Sequence, residues 1–523
     1  MRTPRRIGSQ RLRPGLYLIV ALALAILLSG CSLAGFGPPP TIAPEVKTAV
    51  AYAPTPTVRR TATRTAVAAP TLIPVVAAKT PTPGKNSFVA TAAQPCRQVR
   101  YTGLIPEKKS TVETVGQVYR CLLLYYVDHA TLDNSVLLRG AWAALGPLGK
   151  GRFTAEDLAP LAFSGDREAD WAMFATRFTA LVDRAQGVSD ASTMARTAIA
   201  AMAASLNDNH VAYLEPKFWR QTLNSELGLE YYPTAGFELA LDDSTGKYFL
   251  YVVYDGSPAA RAGLLAGDII DNVGGTPIGR GQRNRPLADL MAGLPGTGDT
   301  IQVTRPVTGQ TETVLITVAD VSVPLIDIGV LPGNVGYIRL RYFSYGADET
   351  FARALKALQG RGITSLVFDV RQNPGGSIAA LQRILSNFSH EGPFGIMIDG
   401  DGVEEPIPAD TAVPLLGLPW VVLCDGDSAS SADVTAAVAK DRGGYLIGTR
   451  SAGALGAALY YEFEDGSAME VTVNRVIGPD REAINEVGVV PHEIVPLSPA
   501  DLSAGYDPPL LRAVAYLRGL TGR

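Results

Sequence analysis

Residues 420–442, WVVLCDGDSASSADVTAAVAKDR, constrain this chain more than any other stretch. The apolar run 420–424 is too short for a helix and reads as a buried strand. Residues 425–428 carry turn chemistry, and the Ala/Val-rich run 431–440 predicts a helix. Ser430 is thereby placed at a helix N-terminus. A hydroxyl there lies beside unpaired backbone N–H groups and the positive end of the helix dipole, where an anionic acyl-transfer intermediate is stabilised. Capping of the helix by Ser428, Ser430 or Ser431 is the competing reading of the same pattern.

The 523 residues suffice for roughly three domains. With 47% hydrophobic and 18% charged residues, the composition is that of a chain with a real core. A net charge of -4 gives no basic footprint for nucleic acid. Four cysteines are too few for a disulfide scaffold, and no CxxC or Cys/His cluster points to a metal. His129, His210, His390 and His492 are scattered, so neither a metal nor a cofactor is expected.

Arg2, Arg5, Arg6, Arg11 and Arg13 precede the apolar run 16–28. This is an export signal, too short for a comfortable membrane span. The tetrapeptide Leu28-Ser29-Gly30-Cys31 resembles a bacterial lipobox, which implies lipidation of Cys31 and a membrane-anchored protein of the cell envelope. The Pro/Thr/Ala-rich residues 31–95 lack the periodicity of a core and predict an extended tether.

Apolar residues then recur at helical spacing over 111–126, 135–145, 169–184 and 193–206. Cys96 and Cys121 are a candidate pair in an oxidising compartment, while Cys424, in a core strand, is expected to be inert. His210 follows the last helix in LNDNHVAYLEP, a polar loop suited to presenting a base. From about 227 to 319 short strands alternate with glycine-marked turns. Beyond 334, strands and helices alternate, the signature of an α/β core. One of its loops, DVRQNPGGS at 369–377, has two glycines able to expose N–H groups to an anion.

Residues 255–275, DGSPAARAGLLAGDIIDNVGG, resemble the PDZ domain of bacterial proteases. The resemblance implies that a polypeptide C-terminus binds as an added strand, with N–H groups around Thr234, Ala235, Gly236 and Phe237 receiving its carboxylate. Together with NVGYIRL, DNHVAYLEP, the glycine loop, DSASSAD and GVVPHEIV, the chain resembles carboxyl-terminal processing peptidases and tricorn-core serine peptidases of the S41 type over about 110–497. This implies Ser430 as nucleophile, Gly376 and the Ser431 N–H as oxyanion-hole donors, and Asp369, Arg371, Asn373 and Pro374 as the scaffold of the glycine loop. The family's general-base lysine falls at Ala454 and its glutamine at Ala458, and no lysine follows Lys440. Arg450 stays protonated and cannot replace it.

Two readings remain open. In the tricorn branch the base is a histidine at the position of His210, with an orienting group matching Asn485 or its neighbour Glu486; Asn209 stands where that branch has serine. Otherwise the chain is an inactive pseudopeptidase that binds or scaffolds peptides; an apolar-ligand carrier on the same core is a third reading without a feature of its own. The expected fold class is α/β: a mixed-sheet protease core with helices, an N-terminal helical region and an inserted, mostly β PDZ domain. The expected boundaries are 1–30 signal, 31–95 tether, 96–226 helical region, 227–320 PDZ and 321–523 peptidase core.

Overall fold

The computed structural model describes residues 96–99, 105–242, 244–279 and 285–522. The export signal, Cys31 and the tether lie outside them. The central sheet runs in the order Ile326–Leu331, Val335–Leu340, Ser365–Asp369, Trp420–Cys424, Tyr445–Gly448 and Glu493–Ile494. Its first pair is antiparallel and every later pair is parallel. Parallel neighbours need crossovers, supplied here largely by the helices Ala347–Gln359, Ile378–Leu385 and Ser431–Asp441. Both faces of the sheet are covered, which is why its inner strands are apolar without alternation. Ile338, Phe368 and Val422 pack with the crossover helices. Val367, Val421 and Ile447 instead meet Leu510, Ala513 and Leu517 of the C-terminal helix Pro508–Thr521.

A second sheet contains the hairpin Gly456–Glu462 and Ala468–Ile477, turned at Asp465 and Gly466. Tyr461, Phe463, Met469 and Val471 of this hairpin close the core of the N-terminal helices Val112–Tyr125, Asn134–Ala143, Arg167–Ala185 and Ala191–Ala204. The strand Ala212–Leu214 pairs antiparallel with the same hairpin, Ala212 facing Glu470. That pairing fixes His210, two residues earlier, against the C-terminal half of the chain. Cys96 and Cys121 form a disulfide, Cα to Cα 5.6 Å, fastening the first described residues to the first helix.

The PDZ domain is a five-strand antiparallel path, Phe237–Asp242, Lys247–Val253, Ile269–Val273, Gly298–Arg305 and Gln310–Thr317, with the short strand Thr276–Pro277 pairing with the third. A two-stranded ribbon, Tyr231–Thr234 against Ala319–Ser322, joins its two ends to the rest. Its first strand is tied to the peptidase core by ions: Glu238 accepts from Arg339 Nη2 at 2.6 Å and Arg341 Nε at 2.7 Å. The Arg339 guanidinium also lies 5.0 Å from the Tyr251 ring.

Most expected elements differ from the observed ones by one or two residues at their ends. The sequence reading lacks the helix Pro216–Glu226, because its Pro216 ends the LEP run and reads as a loop signal, although proline is favoured in a first helical turn. The strands Pro393–Ile398 and Glu404–Pro408, with prolines at one end of each and at Pro406 inside the second, escape it for the same reason.

Candidate active site

Ser430 is the N-cap of the helix Ser431–Asp441 and has φ 54° and ψ -114°. A positive φ at a non-glycine residue stores strain and persists only where the surroundings impose it. Asn207, Gln372, Ser430 and Glu486 are four of the seven such residues among those described, and all four sit in the loops that meet here.

The restraint on Ser430 is Asp433, one turn into the helix and fully buried. Asp433 Oδ2 accepts from Ser430 N at 2.8 Å and Ala454 N at 3.2 Å; Oδ1 accepts from Ser451 Oγ at 2.5 Å and Gly453 N at 2.9 Å. Burial pushes this carboxyl above its ordinary value, against the four hydrogen bonds it accepts. Ser430 N also donates to Ala454 O at 2.8 Å, so the loop 451–456 is laced directly to the Ser430 backbone.

The other serines of the motif are structural. Ser428 is buried and donates to Val370 O at 2.8 Å, closing the turn. Ser431 Oγ donates to Gly376 O at 2.9 Å, holding the glycine loop on the helix. Gly375 and Gly376 have φ 108° and 126°. A Cβ on Gly375 would stand 2.6 Å from Ser430 Cβ, and one on Gly376 would stand 2.5 Å from Phe343 O, so neither position admits a side chain. Phe343 N donates to Gly375 O and Ser377 N to Phe343 O, while Gly375 N is held by Asn373 Oδ1 at 2.8 Å. The N–H groups of Gly376 and Ser431 are left without a partner among the described residues. Asn373 further donates to Leu340 O, and Asp369 is clamped by Arg371, itself paired with Asp507. Pro374 completes the turn into the glycines.

His210 is buried and its ring packs on Gly456, where a Cβ would lie 3.3 Å from His210 Cγ. Its Nδ1 is 2.8 Å from Asn209 Oδ1. Burial pulls the imidazole below its ordinary value, with Asp208 opposing, so the ring is neutral near pH 7. No hydrogen bond joins it to Ser430. Ala454, Leu455 and Gly456 connect the two: the first bonds Ser430, the N–H of the second donates to Asn485 Oδ1 at 2.9 Å, and the third backs the imidazole. Asn485 also accepts from Asn209 Nδ2 at 3.0 Å. Glu486 takes part through its backbone, donating to Gly453 O at 2.6 Å. A cavity of about 180 Å³ opens beside this group, lined in part by Asp208, Asn209, Leu455, Gly456, Thr472 and Asn485.

Three groups of the site were not singled out in the sequence. Asp433 follows Ser430 by three residues, a capping-box spacing that was there to be read. Tyr342 stands against Gly376, its Cε1 3.0 Å from where a Cβ would be, and its hydroxyl bonds to buried Glu226. Glu470 is partly buried on the face of its strand opposite Met469 and Val471, and nothing in the sequence marks it, because Thr472 and Asn474 fall on the same side of the alternation.

In the PDZ domain, Ala235 N donates to Leu290 O at 2.7 Å and Gly236 N to Thr234 Oγ1 at 3.2 Å. Tyr254 N donates to Gly236 O, so Phe237 and Val253 form a non-hydrogen-bonded pair. The Phe237 N–H therefore points to the outer edge of its strand, which has no neighbour on that side in the sheet.

Residues 334–495 match peptidase family S41, and residues 249–297 match a PDZ domain. The carboxyl-terminal-processing protease of Picosynechococcus sp. is 30% identical over 309 residues, 58% of this chain and 73% of that protein. The chain belongs to peptidase family S41. The chloroplastic C-terminal processing peptidase of Tetradesmus obliquus is 28% identical over 314 residues, 56% of this chain and 66% of that protein. Among solved structures, the photosystem II D1 C-terminal processing protease shares the fold, with a TM-score of 0.50 and 24% identity over 77% of this chain and 96% of that one. This S41 chain is thus homologous to serine-type processing peptidases, and it carries alanine at Ala454 and Ala458, where the resemblance places lysine and glutamine.

Proposed function

We propose that this S41 chain is a lipid-anchored, extracytoplasmic serine endopeptidase that holds a polypeptide C-terminus in its PDZ domain and cuts the same chain nearby. The observation that carries the proposal is the strained Ser430 backbone beside two N–H groups, of Gly376 and Ser431, that have no partner among the described residues. Ser430 Oγ attacks the peptide carbonyl and gives its proton to His210 Nε2. The carbonyl electron pair moves to the oxygen, which the two N–H groups receive. Collapse of this intermediate breaks the C–N bond, and His210 returns the proton to the leaving amine. Water then enters by the same steps in reverse order of roles, releasing the acyl group from Ser430. His210 and Ser430 are not hydrogen-bonded at rest, so the proton transfer requires the two side chains to approach as substrate binds.

The PDZ assignment supports capture of C-termini, with the outward Phe237 N–H as the open donor. The disulfide Cys96–Cys121 and the arginine-led apolar run support export and anchoring at Cys31. One observation favours the second reading, a peptide-binding pseudopeptidase: Ala454 offers no amine beside Ser430. Incubating the full-length chain with an unstructured protein separates the two. Turnover should be lost in Ser430→Ala and His210→Ala; equal turnover in all three proteins rules this machinery out, and binding of C-terminal peptides without any turnover selects the second reading.

A further inference from the structure

The candidate base and the two side chains behind it form a chain of hydrogen bonds whose direction is fixed from one end. Leu455 N is a backbone donor and nothing else, so the Asn485 atom 2.9 Å from it must be the oxygen. The same oxygen faces the Asn209 amide at 3.0 Å, so Asn209 must present its NH2 there. Its own oxygen then faces His210 Nδ1 at 2.8 Å. An amide oxygen only accepts, so the proton of the neutral imidazole sits on Nδ1. From this we infer that Asn209 is the positioning residue that sets the His210 tautomer, leaving the Nε2 lone pair as the proton acceptor, with Asn485 as the hub that orients Asn209 and anchors the Ser430 loop at once.

The inference rests on the reading of Ser430 and His210 given above and adds how the base is prepared. The orienting group is a neutral amide. A carboxylate on Nδ1 would stabilise imidazolium and hold the ring protonated to higher pH; an amide fixes the tautomer without that charge. The carboxylate whose charge acts on the ring, Asp208, is spent on other donors: its Oδ1 accepts from His210 N at 2.8 Å and Thr472 Oγ1 at 2.8 Å. Because Leu455 directly follows Ala454, whose carbonyl holds Ser430 N, one amide side chain ties ring orientation to nucleophile position.

The test uses the full-length chain with 15N-labelled histidine, its four rings assigned by single substitution. At pH 7.5 the His210 ring should show a protonated Nδ1 and an unprotonated Nε2. In Asn209→Ala the ring should lose that fixed state, and Ser430 labelling by a fluorophosphonate should slow by about 100-fold or more. In Asn209→Asp the acid limb of the labelling profile should move to higher pH. A wild-type ring protonated on Nε2, or a ring state unchanged in Asn209→Ala, overturns the inference, and the wild-type spectrum decides this even if a variant does not fold. A wild-type chain with Nδ1 protonated that never labels at Ser430 leaves the tautomer assignment standing and defeats the proposed function instead.

Discussion

The Ser430 N–H donates to Asp433 Oδ2 at 2.8 Å across the first turn of the helix Ser431–Asp441, and the same carboxylate collects three donors from residues 451–454. One buried side chain thus holds the strained serine and the loop beside it in a single bonded unit. Replacing Asp433 by Asn puts an NH2 group against two of these donors. We expect a loss of about 2–4 kcal/mol of stability, the desolvation of donors left unpaired, together with a lower rate of Ser430 labelling. Urea unfolding and fluorophosphonate labelling measure the two; a variant that matches the wild type in both would show that Asp433 is not what restrains Ser430.

Glu470 carries the opposite kind of carboxyl from one in a good ion pair. Burial, with Glu226 and Asp208 adding to it, pushes its pKa up from 4.5 to about 8. The folded chain keeps a proton that the unfolded chain releases, so stability falls as pH rises from about 4.5 to about 8. Glu470→Gln should remove that decline. Its advantage over wild type should be small at the low end of the window and reach on the order of 2–4 kcal/mol at the top. Unfolding midpoints across the window decide it, and a pH-independent difference contradicts it.

Glu238 at the PDZ–core contact should slope the other way. Burial raises its carboxyl, but Arg339 and Arg341 outweigh burial and hold it down at about 2. Its contribution is present above the ordinary value of 4.5 and is lost as pH falls toward 2. Glu238→Gln should therefore destabilise the chain by about 2–3 kcal/mol at pH 7, since it leaves two arginines without their anion, and the difference should narrow below pH 4.5. Limited proteolysis of the joining ribbon, at pH 7 and pH 4, reads the contact directly.

Ala454 bonds to Ser430 and Asp433 through its backbone alone, so a longer side chain there leaves those bonds in place. Ala454→Lys should supply an amine beside Ser430 and make its labelling independent of His210. The telling protein is the double variant Ala454→Lys with His210→Ala. If it is as unreactive as His210→Ala alone, the pocket does not accept a lysine in the working position.

The core strands, the crossover helices and the turn at Ser430 were legible because each is a local pattern: an apolar run, a helical period, a glycine pair or a cap spacing. The PDZ segment was legible for the same reason, since GSPAARAGLLAGDII is contiguous. Helix Pro216–Glu226 was not, because its opening proline suits both a loop and a first helical turn, and only the packing of Trp219 and Leu223 under the hairpin chooses between them.

What the sequence determined by itself is therefore the strand–turn–helix that exposes Ser430, the glycines that must lie beside it, and the missing lysine at Ala454. Only the tertiary structure decided which of three serines is left unused by the scaffold, that Asp433 restrains it, and that Asn209 and Asn485 stand behind His210. These partners are up to 276 positions apart in the chain. No period or spacing encodes a hydrogen bond between residues brought together only when the strand Ala212–Leu214 pairs with a hairpin from the other end of the chain.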